Sequence, residues 1–277
     1  MTDPLRRFAW LDAMELTPLW RLRSRWLISD RSAQTQTDAQ TNPQDVTIDT
    51  DRSAPRYPCQ QTQRQASRQP TPPQAPPEPP SSRSPERAEQ IATMDWEALE
   101  AAIRRCQACP LSRERTQAVP GVGDHRARWL FVGEGPGREE DRQGEPFVGP
   151  AGKLLDEMLF ALGLRRGADV YIANAVKCRP PLNRTPHPEE IAACNPFLAR
   201  QIALLAPRII VALGKPAAFA LLDEEVKIAQ ARGRRFDYHG IPVVVTYHPA
   251  YLLRNPADKR KAWEDLLFAR RILMQQV

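Results

Sequence analysis

Trp129-Leu-Phe-Val-Gly-Glu-Gly-Pro-Gly137 is the stretch that decides the fold class. Trp129 to Val132 is apolar at every position, which predicts a short strand covered on both faces rather than one with a wet side. The glycines behind it predict a loop whose main chain stands open to close approach. Outward from this point the same pattern repeats. Pro150 opens a helix that runs to about Leu162, and Val170 to Ala175 is a second strand followed by a proline-rich loop. Glu189 to Leu205 reads as helical, Arg208 to Leu213 is a third strand, and Gly214-Lys215-Pro216 starts another helix. After a turn over Phe236 to Gly240, Ile241 to Thr246 forms a fourth strand, and residues 256–275 close as a helix. Strands alternating with helices imply an α/β fold with a largely parallel sheet, whose ligands gather at the carboxyl edge.

The glycine loop fails two tests. A dinucleotide fingerprint needs Gly-x-Gly-x-x-Gly, and Arg138 stands where the third glycine belongs. A P-loop ending at Gly152-Lys153 would need glycine at Phe147 and a hydroxyl at Leu154. What remains is a backbone-exposing loop after a strand, suited to a ligand that touches main-chain amides.

Four of the five cysteines fall as Cys106-x-x-Cys109, then Cys178 after 68 residues and Cys194 after 15 more. Two cysteines three apart on a turn grip one metal centre, and the fold must bring in the distant two. Residues 1–30 are charged too densely for a signal peptide, and no run approaches the roughly 18 apolar residues of a membrane span. The expectation is therefore a cytoplasmic protein without membrane contact, where such cysteines hold metal more often than they form disulfides. Four thiolates suit tetrahedral zinc or an iron–sulfur cluster, although the second pair is too widely spaced for a zinc knuckle. Cys59 lies outside the pattern and reads as a free thiol.

Composition sets the domain boundaries. Residues 31–92 are rich in Gln, Thr, Ser, Pro and Arg, with eight prolines from Pro70 to Pro85. Such a segment buries too little apolar surface to offset its ordering entropy, so it reads as a disordered tether between residues 1–30 and a folded domain over 93–277. Residues 1–30 read as two short amphipathic helices parted at Thr17-Pro18, either folded back on the domain or docking another protein. The chain carries a net charge of +6, and residues 91–277 hold 27 Lys plus Arg against 22 Asp plus Glu. That balance is compatible with a polyanionic partner.

Four motifs now agree in order and spacing: Gly133-Glu-Gly-Pro-Gly137, Glu145-Pro-Phe-Val-Gly-Pro-Ala-Gly152, Asn174-Ala-Val-Lys-Cys-Arg-Pro-Pro181 and His248-Pro-Ala-Tyr-Leu-Leu-Arg-Asn-Pro256. Together they resemble the family 4 uracil-DNA glycosylases, over about 170 residues from Cys106 onward. The resemblance implies a three-layer α/β/α fold around a mainly parallel four-stranded sheet. It also implies a structural [4Fe–4S] cluster on Cys106, Cys109, Cys178 and Cys194, and a monomer that acts on uracil-containing DNA. The implied reaction is hydrolysis of the deoxyuridine N-glycosidic bond, which releases uracil and leaves an abasic site.

The chemistry of the residues fits that reading. A base excised from DNA must be flipped out and read on its Watson–Crick edge. Asn174 offers an acceptor for uracil N3–H beside a donor for O4. Phe147 offers a face for the base to stack on, and main-chain amides around Glu134 and Gly135 can hold O2. His248, directly after a strand, is placed to stabilise negative charge growing on O2 of the leaving base. Gly149 and Gly152 at a helix start can let a DNA phosphate approach the amides. Leu252 and Leu253, with Arg254, read as a wedge for the base stack, the other reading being that the leucines seal the core. The best-known uracil glycosylases have an aspartate where this chain has Gly135, so water orientation falls by resemblance to Glu140, with Glu139 and Asp141 beside it. A branch that uses a histidine nucleophile carries a basic insertion that is absent between Cys178 and His187. A cluster-stabilised DNA-binding accessory is the reading outside enzymes.

Overall fold

The computed structural model describes residues 85–276. The helices expected within residues 1–30, Cys59 and most of the expected tether lie outside the described residues. The elements are α1 (Pro85–Ala92), α2 (Trp96–Arg105), β1 (Val122–Gly123), β2 (Trp129–Gly133), α3 (Arg138–Gln143), α4 (Pro150–Ala161), β3 (Val170–Asn174) and α5 (Pro188–Leu205). They continue with β4 (Ile209–Leu213), α6 (Lys215–Leu222), α7 (Ile228–Ala231), β5 (Arg235–Tyr238), β6 (Ile241–Thr246), α8 (Pro249–Arg254) and α9 (Lys259–Met274).

The sheet has six strands in the order β1-β3-β2-β4-β6-β5. The four expected strands β2, β3, β4 and β6 pair in parallel. Two antiparallel edge strands, β1 on β3 and β5 on β6, enlarge the expected sheet. The alternation of side chains divides the core cleanly. Trp129, Phe131, Ile172, Val211 and Val244 face α4 and α9, whereas Leu130, Val132, Ala173, Ile210 and Val245 face α1, α2, α5 and α6. Both faces are dry, which is why the strands read as unbroken apolar runs.

Helix α1 occupies part of the stretch expected as tether. Its sequence is polar apart from Ile91, which is buried in the core. Arg87 ties the helix down by donating to the carbonyl of Ala193 at 2.9 Å and to the Cys106 sulfur at 3.5 Å. The folded unit therefore begins at least eight residues earlier than its composition suggests.

The chain leaves β2 toward β3 on one side, and returns to β4 on the other. The carboxyl edge between β2 and β4 is thus the switch point at which such sheets open a crevice.

Candidate active site

That crevice is present, a cleft of about 1140 Å³ lined by the loops after β2, β3, β4 and β6. Behind its lining residues Glu134 and Gly135, Gly133 is buried and paired in register with Asn174 across β2 and β3. A Cβ on Gly133 would stand 2.4 Å from Asn174 Oδ1 and 2.6 Å from the Phe147 ring, so only glycine lets both groups come this close. Asn174 is 2% exposed and its Oδ1 has no hydrogen-bond partner. A buried acceptor left unpaired costs folding free energy and marks a place where a ligand supplies the donor.

Phe147 sits in the left-handed region at φ 57°. Its ring stacks on His248, with centroids 5.4 Å apart and planes 27° apart. The strained backbone is gripped by Arg166, which donates to the carbonyls of Pro146 and Phe147 at 2.9 Å each and is anchored on Asp156 at 2.7 Å. Gly152 completes the turn, because a Cβ there would stand 1.7 Å from the Phe147 carbonyl oxygen. Gly152 therefore packs its Cα side against Phe147, and it does not itself line the cleft. Gly149 does line the cleft, as the N-cap of α4.

His248 caps α8, its Nδ1 accepting from the Ala250 amide at 3.1 Å. Burial, then the Arg254 charge, lower its pKa from 6.5 to about 4, against an opposing pull from Glu140. At neutral pH the ring is uncharged and, with Nδ1 accepting, carries its proton on Nε2. The strand end before it is fixed by a buried chain in which Thr246 donates to Asp265 at 2.7 Å and Arg232 binds the same carboxylate at 2.7 Å.

Glu140, expected to orient water, lines the cleft. Its carboxylate accepts from the Gly137 amide at 3.1 Å and from the Val148 and Gly149 amides at 3.0 Å. It staples the glycine loop to the Phe147 turn. Of its neighbours, Asp141 is buried and accepts from the Thr116 amide at 3.0 Å, while Glu139 pairs with Arg142 at 2.7 Å. Glu134 and Gly135 line the cleft, and burial raises the Glu134 carboxyl against a hydrogen bond from Thr185 and the Arg254 charge.

The expected wedge divides. Leu252 is 1% exposed and belongs to the core under α4, so for this residue the sealing reading holds. Leu253 is 44% exposed, and Arg254 lines the cleft. The cause is the six-residue helix α8, which turns one leucine in and the next out.

The four cysteines converge on a second, small space on the other face of the sheet, lined also by Arg115, Lys177 and Phe197. None of the four is paired in a disulfide. Burial pushes Cys178 up to about 11 and Cys194 up to about 12. Arg115 donates to the Cys178 sulfur at 2.8 Å, and Arg87 reaches Cys106. Lys177, 1% exposed, donates to the Asn174 carbonyl at 2.8 Å and to Gln201 at 2.6 Å. Arg166, Arg115 and Lys177 escaped the sequence reading, because each acts on residues the fold alone brings near.

Residues 120–267 match the model of the "Uracil DNA glycosylase superfamily". The chain belongs to that superfamily. Among its curated relatives, a type-4 uracil-DNA glycosylase from Thermotoga maritima is 49% identical over 178 residues, covering 63% of this chain and 92% of the relative. Type-4 enzymes from Pyrobaculum aerophilum and Archaeoglobus fulgidus are 46% and 47% identical, and this chain covers 92% and 85% of them. Within the superfamily the chain is of the type 4 family. The superfamily match spans the residues that line the cleft, together with Cys178 and Cys194.

Proposed function

We propose that this chain is a uracil-DNA glycosylase that flips deoxyuridine into the Gly133 cleft and hydrolyses its N-glycosidic bond. One observation carries the reading: an unpartnered Asn174 acceptor, the Phe147 ring and the His248 ring stacked on it all line one cleft. Uracil stacks on Phe147. Its N3–H donates to Asn174 Oδ1, and its O4 accepts from the Asn174 amide. Cytosine inverts both groups and leaves the buried amide mismatched.

As the C1′–N1 bond breaks, its electron pair passes to the base and charge collects on O2. The His248 Nε2–H donates there, in a cleft where water is displaced and the hydrogen bond is worth several kcal/mol. The neutral ring stabilises uracilate through this hydrogen bond and keeps its proton. Water then adds to C1′ and gives up a proton, which leaves an abasic site, and uracilate takes up a proton to leave as free uracil. Glu140 positions the amides and the stacking ring.

The donor set at Cys106, Cys109, Cys178 and Cys194 fits a [4Fe–4S] cluster. Four convergent sulfurs face cationic donors, which suit thiolates. The cluster would join α2, the loop after β3 and α5, a structural task. Among the described residues no helix is long and apolar enough to cross a membrane. The enzyme works as a cytoplasmic monomer, with residues 1–30 holding a protein partner.

Asn174→Asp tests the reading. Uracil release in single-turnover assays should fall by about a hundredfold, with weak cytosine release gained, because an acid accepts from the exocyclic amine. Full activity on uracil would show that the main chain reads the base.

A further inference from the structure

The cleft has two lips, and the one opposite α8 carries an unusual side chain. Leu182 is 96% exposed, and it stands in the left-handed region at φ 53° with Asn183 beside it at φ 55°. A leucine gains nothing in folding from either condition. A non-glycine residue is held there only when its surroundings over-determine it, and such positions cluster at functional sites.

The surroundings do over-determine it. The turn Pro181–Asn183 is closed by the Asn183 and Arg184 amides, which donate to Pro180 and Pro181 at 3.0 and 3.1 Å. Arg179 Nε donates to Asn183 Oδ1 at 2.7 Å. Arg184 grips the buried Glu190 with two bonds of 2.9 and 2.7 Å, which fastens the turn to the start of α5. The leucine is held rigidly into solvent.

It lines the cleft together with Arg179, Lys215, Lys227 and Arg254, a basic rim that complements a polyanion. The occupant that offers both phosphates and an apolar interior at this rim is a DNA duplex. On the facing lip Leu252 is withdrawn into the core, leaving Leu253 exposed. We propose that Leu182 is a second wedge, inserted into the base stack beside the extruded nucleotide and holding the gap from the cysteine-loop side. This rests on the glycosylase reading above. Preformed rigidity suits the task, since a loop already fixed loses little freedom when it enters the stack.

A wedge matters only where there is a stack to open. Leu182→Ala, which removes an exposed side chain, should keep the wild-type melting temperature and iron content. Single-turnover uracil release from duplex DNA should fall about tenfold, the scale of part of a base-step unstacking. Release from the same single-stranded oligonucleotide should fall at most twofold. With 2-aminopurine next to the uracil, the fluorescence rise on binding an uncleavable duplex should shrink in parallel. Equal losses on both substrates, or none on duplex, would overturn the wedge. Wild-type protein that releases no uracil from either substrate would instead sink the glycosylase reading. Leu182→Asn, which tolerates the left-handed backbone, separates the side chain from the strain: it should match Leu182→Ala, and a duplex rate at the wild-type level would overturn the proposal.

Discussion

Asn174 and Cys178 lie four residues apart on one segment, yet the regions they serve treat their polar atoms in opposite ways. Around the cysteines the donors find partners: Arg115 on Cys178, Arg87 on Ala193 and Cys106, Lys177 on Asn174 and Gln201. Gln201 in turn donates to the Pro120 carbonyl at 2.8 Å. In the cleft the Asn174 Oδ1 is unpaired, the Phe147 backbone is strained and His248 holds a lowered pKa. A region whose donors are paired holds the fold together, although Asn195 Oδ1 beside Cys194 is itself unpartnered. An unsaturated one, kept open by neighbours that are themselves satisfied, waits for a substrate.

The comparison breaks most visibly at the cysteines. Cys194→Ser is expected to abolish most soluble protein, since the cluster joins three distant segments. Wild-type protein should show a broad absorbance shoulder near roughly 400 nm and four irons per chain. Stoichiometric zinc without iron, or a soluble variant with unchanged melting, would contradict the structural task given to this region.

Arg166 lies on the cleft side and should behave differently. Arg166→Ala frees the Pro146 and Phe147 carbonyls, so the stacking ring loses its fixed pose. The maximal single-turnover rate is expected to fall about tenfold with little change in half-saturating DNA, as for a misplaced positioning group. A purely structural arginine would lower melting and leave the rate of the folded fraction alone.

The His248 shift gives a pH prediction whose sign is fixed. The unfolded chain takes up a proton near pH 6.5, while the folded ring stays neutral down to about 4. Within that window the unfolded state binds more protons, so His248 subtracts stability as pH falls. The excision rate should show no inflection at 6.5 that the His248→Ala enzyme lacks, and proton–nitrogen NMR should place the ring's titration near 4. Titration near 6.5 would mean an exposed, ordinary imidazole.

The smallest effect is expected outside the described residues. Removing residues 1–84 should leave excision from short oligonucleotides within about twofold, because a tethered docking element changes effective concentration rather than chemistry. A large loss would mean that this segment belongs to the folded unit.

The parallel strands were legible because burial on both faces writes them as runs such as Ile209-Ile-Val-Ala-Leu213. The edge strands were not: Val122–Gly123 has only two residues, and Arg235-Phe-Asp-Tyr238 reads as a turn. Helix α1 hid behind a single buried isoleucine. Asn174 and His248 stood out as polar side chains at strand ends, and Phe147 as an aromatic ring within a glycine- and proline-rich motif. What a residue's neighbours do with it was not legible. Glu140 became a staple through amides eight and nine residues on, and Arg166 reaches back 19 residues to Phe147. The choice between Leu252 and Leu253 waited on one turn of α8.

The most direct test is single-turnover release of uracil from a uracil-containing oligonucleotide by the His248→Ala enzyme, with melting and iron content checked against wild type. The account predicts a rate at least about a hundredfold lower, the scale of losing one donor to a developing oxyanion. Unchanged release by a correctly folded variant would remove His248 from the mechanism and contradict the account.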